Sequence, residues 1–449
     1  MINPDSRGSG IALHGRLKVS QNRRFLVHED GAPFFWLGDT AWELFHRLNL
    51  EDTDLYLSDR AEKGFSVIQA VVLAEMDGLH IPNAYGYNPF YLDDAGIPDP
   101  SKPVEAYFAH VDAVVDMACQ KGLVIGMLPT WGDKVNKRYE WAAGPEIFTS
   151  ENAFFYGRWI ADRYKDRPNI VWIVGGDRNP DERGIAIWRA MAGGIRAGAG
   201  KHKPLMTFHP QPFDGGSSST WFHEDDWLDF NMLQTGHDRD TPVYSFIQHE
   251  YSLEPVKPVL DGEPIYEGHG IAFKPFEKGY SSDHDVRKMA YWDVFAGAFG
   301  HTYGCHSIWQ FFSTERKGVN YPIYDWRDAL HLAGAEQMRW LKKLICSRPI
   351  LDRIPDQSMI AGNSVPGPDR IVATRSGNGD YAFIYTPAGA EFALNTGSLK
   401  GDRLSWYWYN PKDGISTIPV EIDKEDILSF RPPNAGPGCD WVLGIDAIC

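Results

Sequence analysis

The chain is poor in cysteine, short of positive charge and free of long apolar runs. Its five cysteines are Cys119, Cys305, Cys346, Cys439 and Cys449. No two stand in CxxC spacing, so zinc-ribbon and thioredoxin-type readings fail. Cys119 lies in an apolar helical stretch and reads as a buried thiol, while Cys439 and Cys449 are open to pairing. No run of eighteen apolar residues exists, so no membrane-spanning helix is expected. The opening MINPDSRGSGIALHGRL carries no apolar leader core. The expected location is the cytoplasm, or outside it (secreted or periplasmic) with a leader already removed. Lys and Arg number 44 against 60 Asp and Glu, a net charge of −16. Such a chain repels phosphate backbones and anionic membrane surfaces, so no nucleic-acid or membrane partner is expected. GxGxxG, Walker, GxSxG and HExxH patterns are all missing, which removes the usual dinucleotide, nucleotide, serine-hydrolase and zinc-protease readings. His209, His237, His269, His301 and His306 are scattered, with no metal-ligand spacing, so neither metal nor cofactor is expected.

Aromatic residues, by contrast, are plentiful: 13% of the chain, with 16 tryptophans. They serve either core packing or stacking on sugar faces. Short apolar runs alternate with longer amphipathic stretches: APFFWLGD, FSVIQAVV, LVIGMLPTW, NIVWIVGGD, KPLMTFHP, FNMLQTGH, KPVLDGEP and HTYGCHSIWQ. Runs rich in Val, Ile, Leu and Phe suit parallel strands covered on both faces. Helical spacing is clearest over Tyr107–Lys121, and also over Ala153–Tyr164 and Ile185–Ile195. Eight strands alternating with helices predict an α/β chain folded as a (β/α)8 TIM barrel. An open doubly wound sheet is the alternative, but it needs the glycine loop that is missing. Near Ser347 the pattern changes. SRPILDRIPDQ reads as a connector, and RIVATRS, YAFIYTP, LSWYWYN, DILSFRP and DWVLGID then alternate with turn-rich segments. The expected division is a barrel over 1–346, its first roughly 15 residues an extension, and an antiparallel β-sandwich over 347–449. The sandwich either braces the barrel or binds polymer.

Barrel enzymes draw their chemistry from the C-terminal ends of the strands. Here those ends carry Asp39, Trp131, Asp177-Arg178, His209, Gln234 with His237, Glu263 and Trp309. Asp177 ends the fourth run and Glu263 the seventh. A carboxyl pair across a barrel mouth fits glycoside hydrolysis, one group protonating the leaving oxygen and the other attacking or activating water. The plainer roles are a helix cap or an Arg178 ion pair for Asp177, and a structural acid for Glu263. Glu267 is the rival to Glu263, which stands at the more natural strand end. Arg178 would oppose protonation of Asp177, so its side chain is expected to point away or onto substrate. Asp39, Trp131, Arg178, His209, Gln234, His237 and Trp309 are candidate substrate-binding residues. His301 and His306 read equally as core residues. The loop GGSSST, Gly215 to Thr220, reads as a flexible cover.

The motifs FFWLGDTAWELFHRL, KGFSVIQAVVLAE, LPTWGDKVN, WIVGGDRNP, WFHEDDWLDFNMLQTGH, KPVLDGEPIYE and FGHTYGCHSIWQ, followed by WYNPKDG and PGCDWVLGID, resemble the apiosidase-like glycoside hydrolases, family 140 and its close relatives. The resemblance runs from about Leu17 across nearly the whole chain. It implies a (β/α)8 catalytic domain followed by a β-sandwich named for collagen binding. It also implies an exo-acting enzyme on plant cell-wall pectin of the rhamnogalacturonan II type, releasing apiose-linked side chains. The family's retaining mechanism would make Asp177, in GGDRN, the acid/base and Glu263, in LDGEP, the nucleophile. Another exo-glycosidase, such as an arabinofuranosidase or β-glycosidase, and a non-catalytic carbohydrate-binding protein are the competing readings. Oligomeric state is not legible.

Overall fold

The computed structural model of the protein describes residues 13–212, 216–362 and 366–448. A strand coincides with each of the eight apolar runs to within one residue at its outer end: β1 (Trp36–Thr40), β2 (Val67–Val71), β3 (Val124–Leu128), β4 (Ile170–Gly175), β5 (Met206–His209), β6 (Asn231–Leu233), β7 (Val259–Asp261) and β8 (Gly300–Tyr303). They pair in parallel in the order β5-β4-β3-β2-β1-β8, and β6 pairs in parallel with β7. Two backbone bonds close the ring. The Asp229 amide donates to the Met206 carbonyl at 2.8 Å, and the Phe299 amide donates to Val259 at 3.0 Å. The chain is thus a (β/α)8 barrel.

Seven helices alternate with the strands: α1 (Leu50–Glu62), α2 (Glu105–Gln120), α3 (Ser150–Tyr164), α4 (Glu182–Gly198), α5 (Val243–Tyr251), α6 (Asp283–Ala296) and α7 (Ala333–Cys346). Between β5 and β6 there is instead a single turn, Ser219–Phe222. Sequence dictates where several helices begin. Thr149 with Asn152, and Ser282 with Asp285, form reciprocal capping boxes at α3 and α6. The Asp181 carboxylate caps α4 by accepting from the Gly184 amide at 2.7 Å. Among the described residues no helix is long and apolar enough to cross a membrane.

The strands' period of two sorts their residues into two layers. Trp36, Val67, Val124, Val171, Ile173, Met232 and Leu260 point into the barrel and pack with Phe230 and Phe299. Leu37, Ile68, Ile125, Trp172, Val174 and Val259 point outward against the helices. A small antiparallel sheet before β1 (Leu17–Val19, Leu26–His28 and Pro33–Phe34) puts Leu17, Leu26 and Phe34 into the inner cluster with Phe25 and so plugs the N-terminal end. The C-terminal end is left for a site.

Beyond α7 the chain builds two antiparallel sheets around a separate core that includes Ala382, Ile384, Leu394, Trp408, Phe430 and Leu443. This is the expected sandwich. Its larger sheet seats on α6, which explains why every residue from Asp285 to Ala296 is buried. Arg287 of α6 pairs with Asp440 through two hydrogen bonds of 2.8 and 2.7 Å, and Tyr291 stacks on Tyr385 with ring centroids 4.8 Å apart.

Asp39 differs from expectation. Leu37 and Asp39 share the outward face of β1, so Asp39 turns away from the barrel mouth. Its carboxylate, fully buried, accepts from Arg60 Nε at 2.5 Å and from the Tyr56 hydroxyl at 2.7 Å on α1. It is a structural group, not a substrate contact. Asp39→Ala is expected to cost about 3 kcal/mol, the scale for stranding one member of a buried ion pair. Urea unfolding measures that loss, while activity per folded molecule is expected to stay unchanged.

Candidate active site

Four adjacent strand ends form a continuous arc: Asp177 after β4, His209 at the end of β5, Gln234 and His237 after β6, and Glu263 after β7. The backbone of Glu263 is fixed before its side chain is considered. Its amide donates to Asp261 Oδ1 at 3.1 Å, and its carbonyl accepts from Gly236 at 3.2 Å. One residue earlier, the Gly262 carbonyl accepts from Gln69 Nε2 at 2.8 Å, a bond that reaches across from β2.

The Glu263 carboxylate faces two imidazoles. His209 Nε2 lies 3.2 Å from one oxygen and His237 Nε2 lies 3.5 Å from the other. Burial alone would push this carboxyl up, but the two close imidazoles outweigh it and bring it down to about 2. Tyr266 adds its hydroxyl beside Glu263 and accepts from Trp42 Nε1 at 2.9 Å. Glu267 has no such setting. Tyr303 donates to it at 2.6 Å, and the Gly334 amide at the start of α7 donates at 3.1 Å, so its carboxylate is tied into the outer layer.

Asp177 is arranged in the opposite sense. Burial raises its carboxyl, and the charge on Glu263 raises it further. Arg178, His209 and a hydrogen bond with Gln234 oppose them, and the balance stands at about 6. Its side chain keeps 21% of its surface open to the cleft, so it is enclosed yet reachable. Asp177 does not cap a helix, since Asp181 does that for α4. Its φ of 49° is a left-handed value that only surrounding structure can impose on a non-glycine residue. The two preceding glycines make this possible. A Cβ on Gly175, at φ 97°, would lie 2.5 Å from the His209 carbonyl, and one on Gly176, at φ 129°, would lie 2.7 Å from the Trp131 ring.

Arg178 departs from its expected direction. Its guanidinium turns back and donates to Asp177 Oδ2 at 2.8 Å, and only 1% of its surface is exposed. Tyr139 and Trp141 cover it, with ring centroids 5.2 and 4.9 Å from Cζ. Arg178 is therefore a partner of Asp177 rather than a substrate contact. Its other nearby carboxyl is Glu75, 3.5 Å away. Burial, helped by the charges of Asp177 and Asp133, pushes Glu75 up to about 8 against the pull of Arg178 and Lys134. Glu75 was hidden within the motif KGFSVIQAVVLAE. An acid four residues beyond an apolar strand reads as a loop residue until Arg178 is known to face it.

The remaining candidates join the arc through ring contacts. Trp131 lies 5.8 Å from His209 between centroids, and Trp42, which the strand ends did not single out, lies 5.2 and 5.4 Å from Trp131 and His209. On the other flank, His237 packs on His269 at 4.2 Å and His269 on His306 at 4.4 Å. Trp309 ends this row, donating from Nε1 to His306 Nδ1 at 3.2 Å. His306 is brought down to about 4, first by burial, and stays neutral. His301 belongs to the outer layer, 2.8 Å from Asp293. Gly215 of GGSSST lies outside the described residues, as does Cys449. The rest of that loop is no cover: Ser217 and Ser218 are buried, and Ser219 begins the turn after β5. Among the described residues no group of three or more His, Cys, Asp or Glu is placed to hold a metal ion.

Comparison with known proteins gives the family and supports the fold. Residues 20–352 match the family described as "Apiosidase-like, catalytic domain". The chain belongs to that family. Residues 354–446 match a second family, described as "Putative collagen-binding domain of a collagenase". One similar solved structure, named "Glycoside hydrolase", is 36% identical with a TM-score of 0.86, over 97% of each chain. A glycoside hydrolase family 5 structure from Bacteroides vulgatus ATCC 8482 is 34% identical with a TM-score of 0.86, covering 97% of this chain and 94% of that one. A family 5 mannosidase from Rhizomucor miehei shares the fold at 12% identity and a TM-score of 0.52, over 74% of this chain and 98% of its own. Nothing among curated protein sequences matches. The apiosidase-like chain is a glycoside hydrolase, and its substrate is a carbohydrate.

If the histidines keep Glu263 ionised, His209→Phe removes the nearer of the two imidazoles that oppose burial. The acid limb of the pH–activity profile is then expected to move upward relative to wild type, as read from initial rates across acidic buffers.

Proposed function

We propose that this glycoside hydrolase is an exo-acting, apiosidase-like enzyme that removes a terminal sugar from pectic glycans of the rhamnogalacturonan II type by retaining double displacement. The observation that carries the assignment of acid and carboxylate is the unequal treatment of two neighbouring carboxyls, while the retaining course rests on the family resemblance. Glu263 is held ionised between His209 and His237, while Asp177 is pushed up to about 6. Family membership supports the substrate class.

In the first step a Glu263 carboxylate oxygen attacks the anomeric carbon. The glycosidic C–O bond breaks, and Asp177 delivers its proton to the departing oxygen. The glycosyl ester that forms carries no charge at Glu263. That removes one of the two influences raising Asp177, so the carboxylate left by its proton transfer is stabilised and draws a proton from water. The water oxygen attacks the anomeric carbon and Glu263 leaves as a carboxylate. Trp131, His209, Gln234, His237 and Trp309 surround the sugar in this reading.

Three outcomes test it. Proton NMR of fresh product should show the anomeric configuration kept; inversion would contradict a Glu263 ester. Asp177→Asn should lower kcat/KM by about 10²–10⁴ on a sugar leaving group, the usual scale for general acid catalysis. It should lower it much less on a nitrophenyl leaving group, which departs without a proton. Wild-type kcat/KM should be flat between the Glu263 and Asp177 values and fall as pH rises through about 6, because the acid must hold its proton. An alkaline limb that survives unchanged in Asp177→Asn would assign it to another group.

A further inference from the structure

The strand ends do not account for the aromatic pair above Arg178. Trp141 is 67% exposed, the one tryptophan among the described residues that stands exposed. Tryptophan is highly buried on average and is enriched where a partner is bound, so an exposed, fixed indole is a candidate contact. The ring is not loose. It stacks on Tyr139 with centroids 5.1 Å apart and planes within 8°, and the Tyr139 hydroxyl donates to Gln211 Oε1 at 3.0 Å in the loop after β5. The loop that bears both rings is tied at its other end: the Gly144 amide donates to Asp133 Oδ2 at 2.9 Å, and the Ile147 amide to the Lys134 carbonyl at 2.9 Å. Beneath the rings lies Arg178, which itself holds Asp177. A fixed, solvent-facing aromatic surface therefore stands one side chain away from the group that protonates the leaving oxygen. Groups beside the acid meet the part of the substrate that departs, whereas His237 and its stack stand with the nucleophile.

We propose that Trp141, backed by Tyr139, is the platform on which the first sugar of the leaving group stacks, and that it sets preference for a glycan over a small leaving group. The inference rests on Asp177 being the acid. A pyranose ring offers an apolar face of axial C–H groups to the indole, and the preset ring order keeps the entropic cost of binding low.

The test compares wild type, Trp141→Ala and Trp141→Phe on two substrates. One is a rhamnogalacturonan II side-chain oligosaccharide. The other is the glycosyl fluoride of the sugar that wild type releases from it, whose leaving group has no ring. The platform predicts that Trp141→Ala loses about tenfold more kcat/KM on the oligosaccharide than on the fluoride, mostly through KM, and that Trp141→Phe restores most of it. Equal losses on both substrates would mean that Trp141 only steadies Arg178 and Asp177, which overturns the platform and leaves the hydrolase reading intact. No loss on the oligosaccharide overturns it as well. A wild type that cleaves neither substrate overturns the proposed substrate class and the platform together.

Discussion

The contact of Glu263 with His209 and His237 is the interaction on which the site depends. A carboxylate at this depth would ordinarily take up a proton, since burial disfavours the charged form. Two imidazole nitrogens at 3.2 and 3.5 Å reverse that, one for each oxygen. The charge kept there then acts on Asp177, where it joins burial in favouring the protonated acid. One fixed anion thus prepares both halves of the pair. The barrel supplies the rigidity: the Gln69 side chain reaches across to the Gly262 carbonyl, and Asp261 holds the Glu263 amide.

The acid is built with strain where the nucleophile is built with bonds. Asp177 sits at positive φ after two glycines, Gly175 and Gly176, that admit the His209 carbonyl and the Trp131 ring at distances no side chain allows. A left-handed non-glycine residue costs about 1–3 kcal/mol and persists only where its surroundings dictate it. Here they include Arg178, clamped between Asp177 and the Tyr139–Trp141 pair, with Glu75 on its far side. Arg178 pulls the Asp177 carboxyl down, so the acid's proton is the outcome of opposed influences rather than of burial alone.

Much of this was legible in the chain. Eight runs of branched and aromatic residues marked the eight strands, and the acids at the ends of NIVWIVGGD and KPVLDGEP stand in one arc because alternating strands and helices leave a barrel little choice of closure. What the sequence hid was facing. Asp39 ends a strand as Asp177 follows one, but with Trp36 and Gly38 turned inward it must point to Arg60. Arg178 defied expectation because its covering rings come from a loop some forty residues earlier, a contact that no local pattern announces. Glu75 was missed for the same reason: its importance lies in the residue opposite it. GGSSST looked mobile by composition, yet Ser217 and Ser218 are buried against the strands.

The central claim is that two carboxyls in one cleft are kept in different protonation states by their neighbours. The most direct test is a ¹³C NMR titration of the Asp177 and Glu263 carboxyls in the intact protein and in Glu263→Gln. Because the two sites interact, the wild-type curves give values for the pair, and the variant isolates the effect of one charge on the other. The account predicts that Asp177 titrates near 6 and Glu263 far below it, and that Asp177 moves down once the charge at Glu263 is gone. Carboxyls that titrate together in the ordinary range, or an Asp177 indifferent to the Glu263 charge, would contradict it.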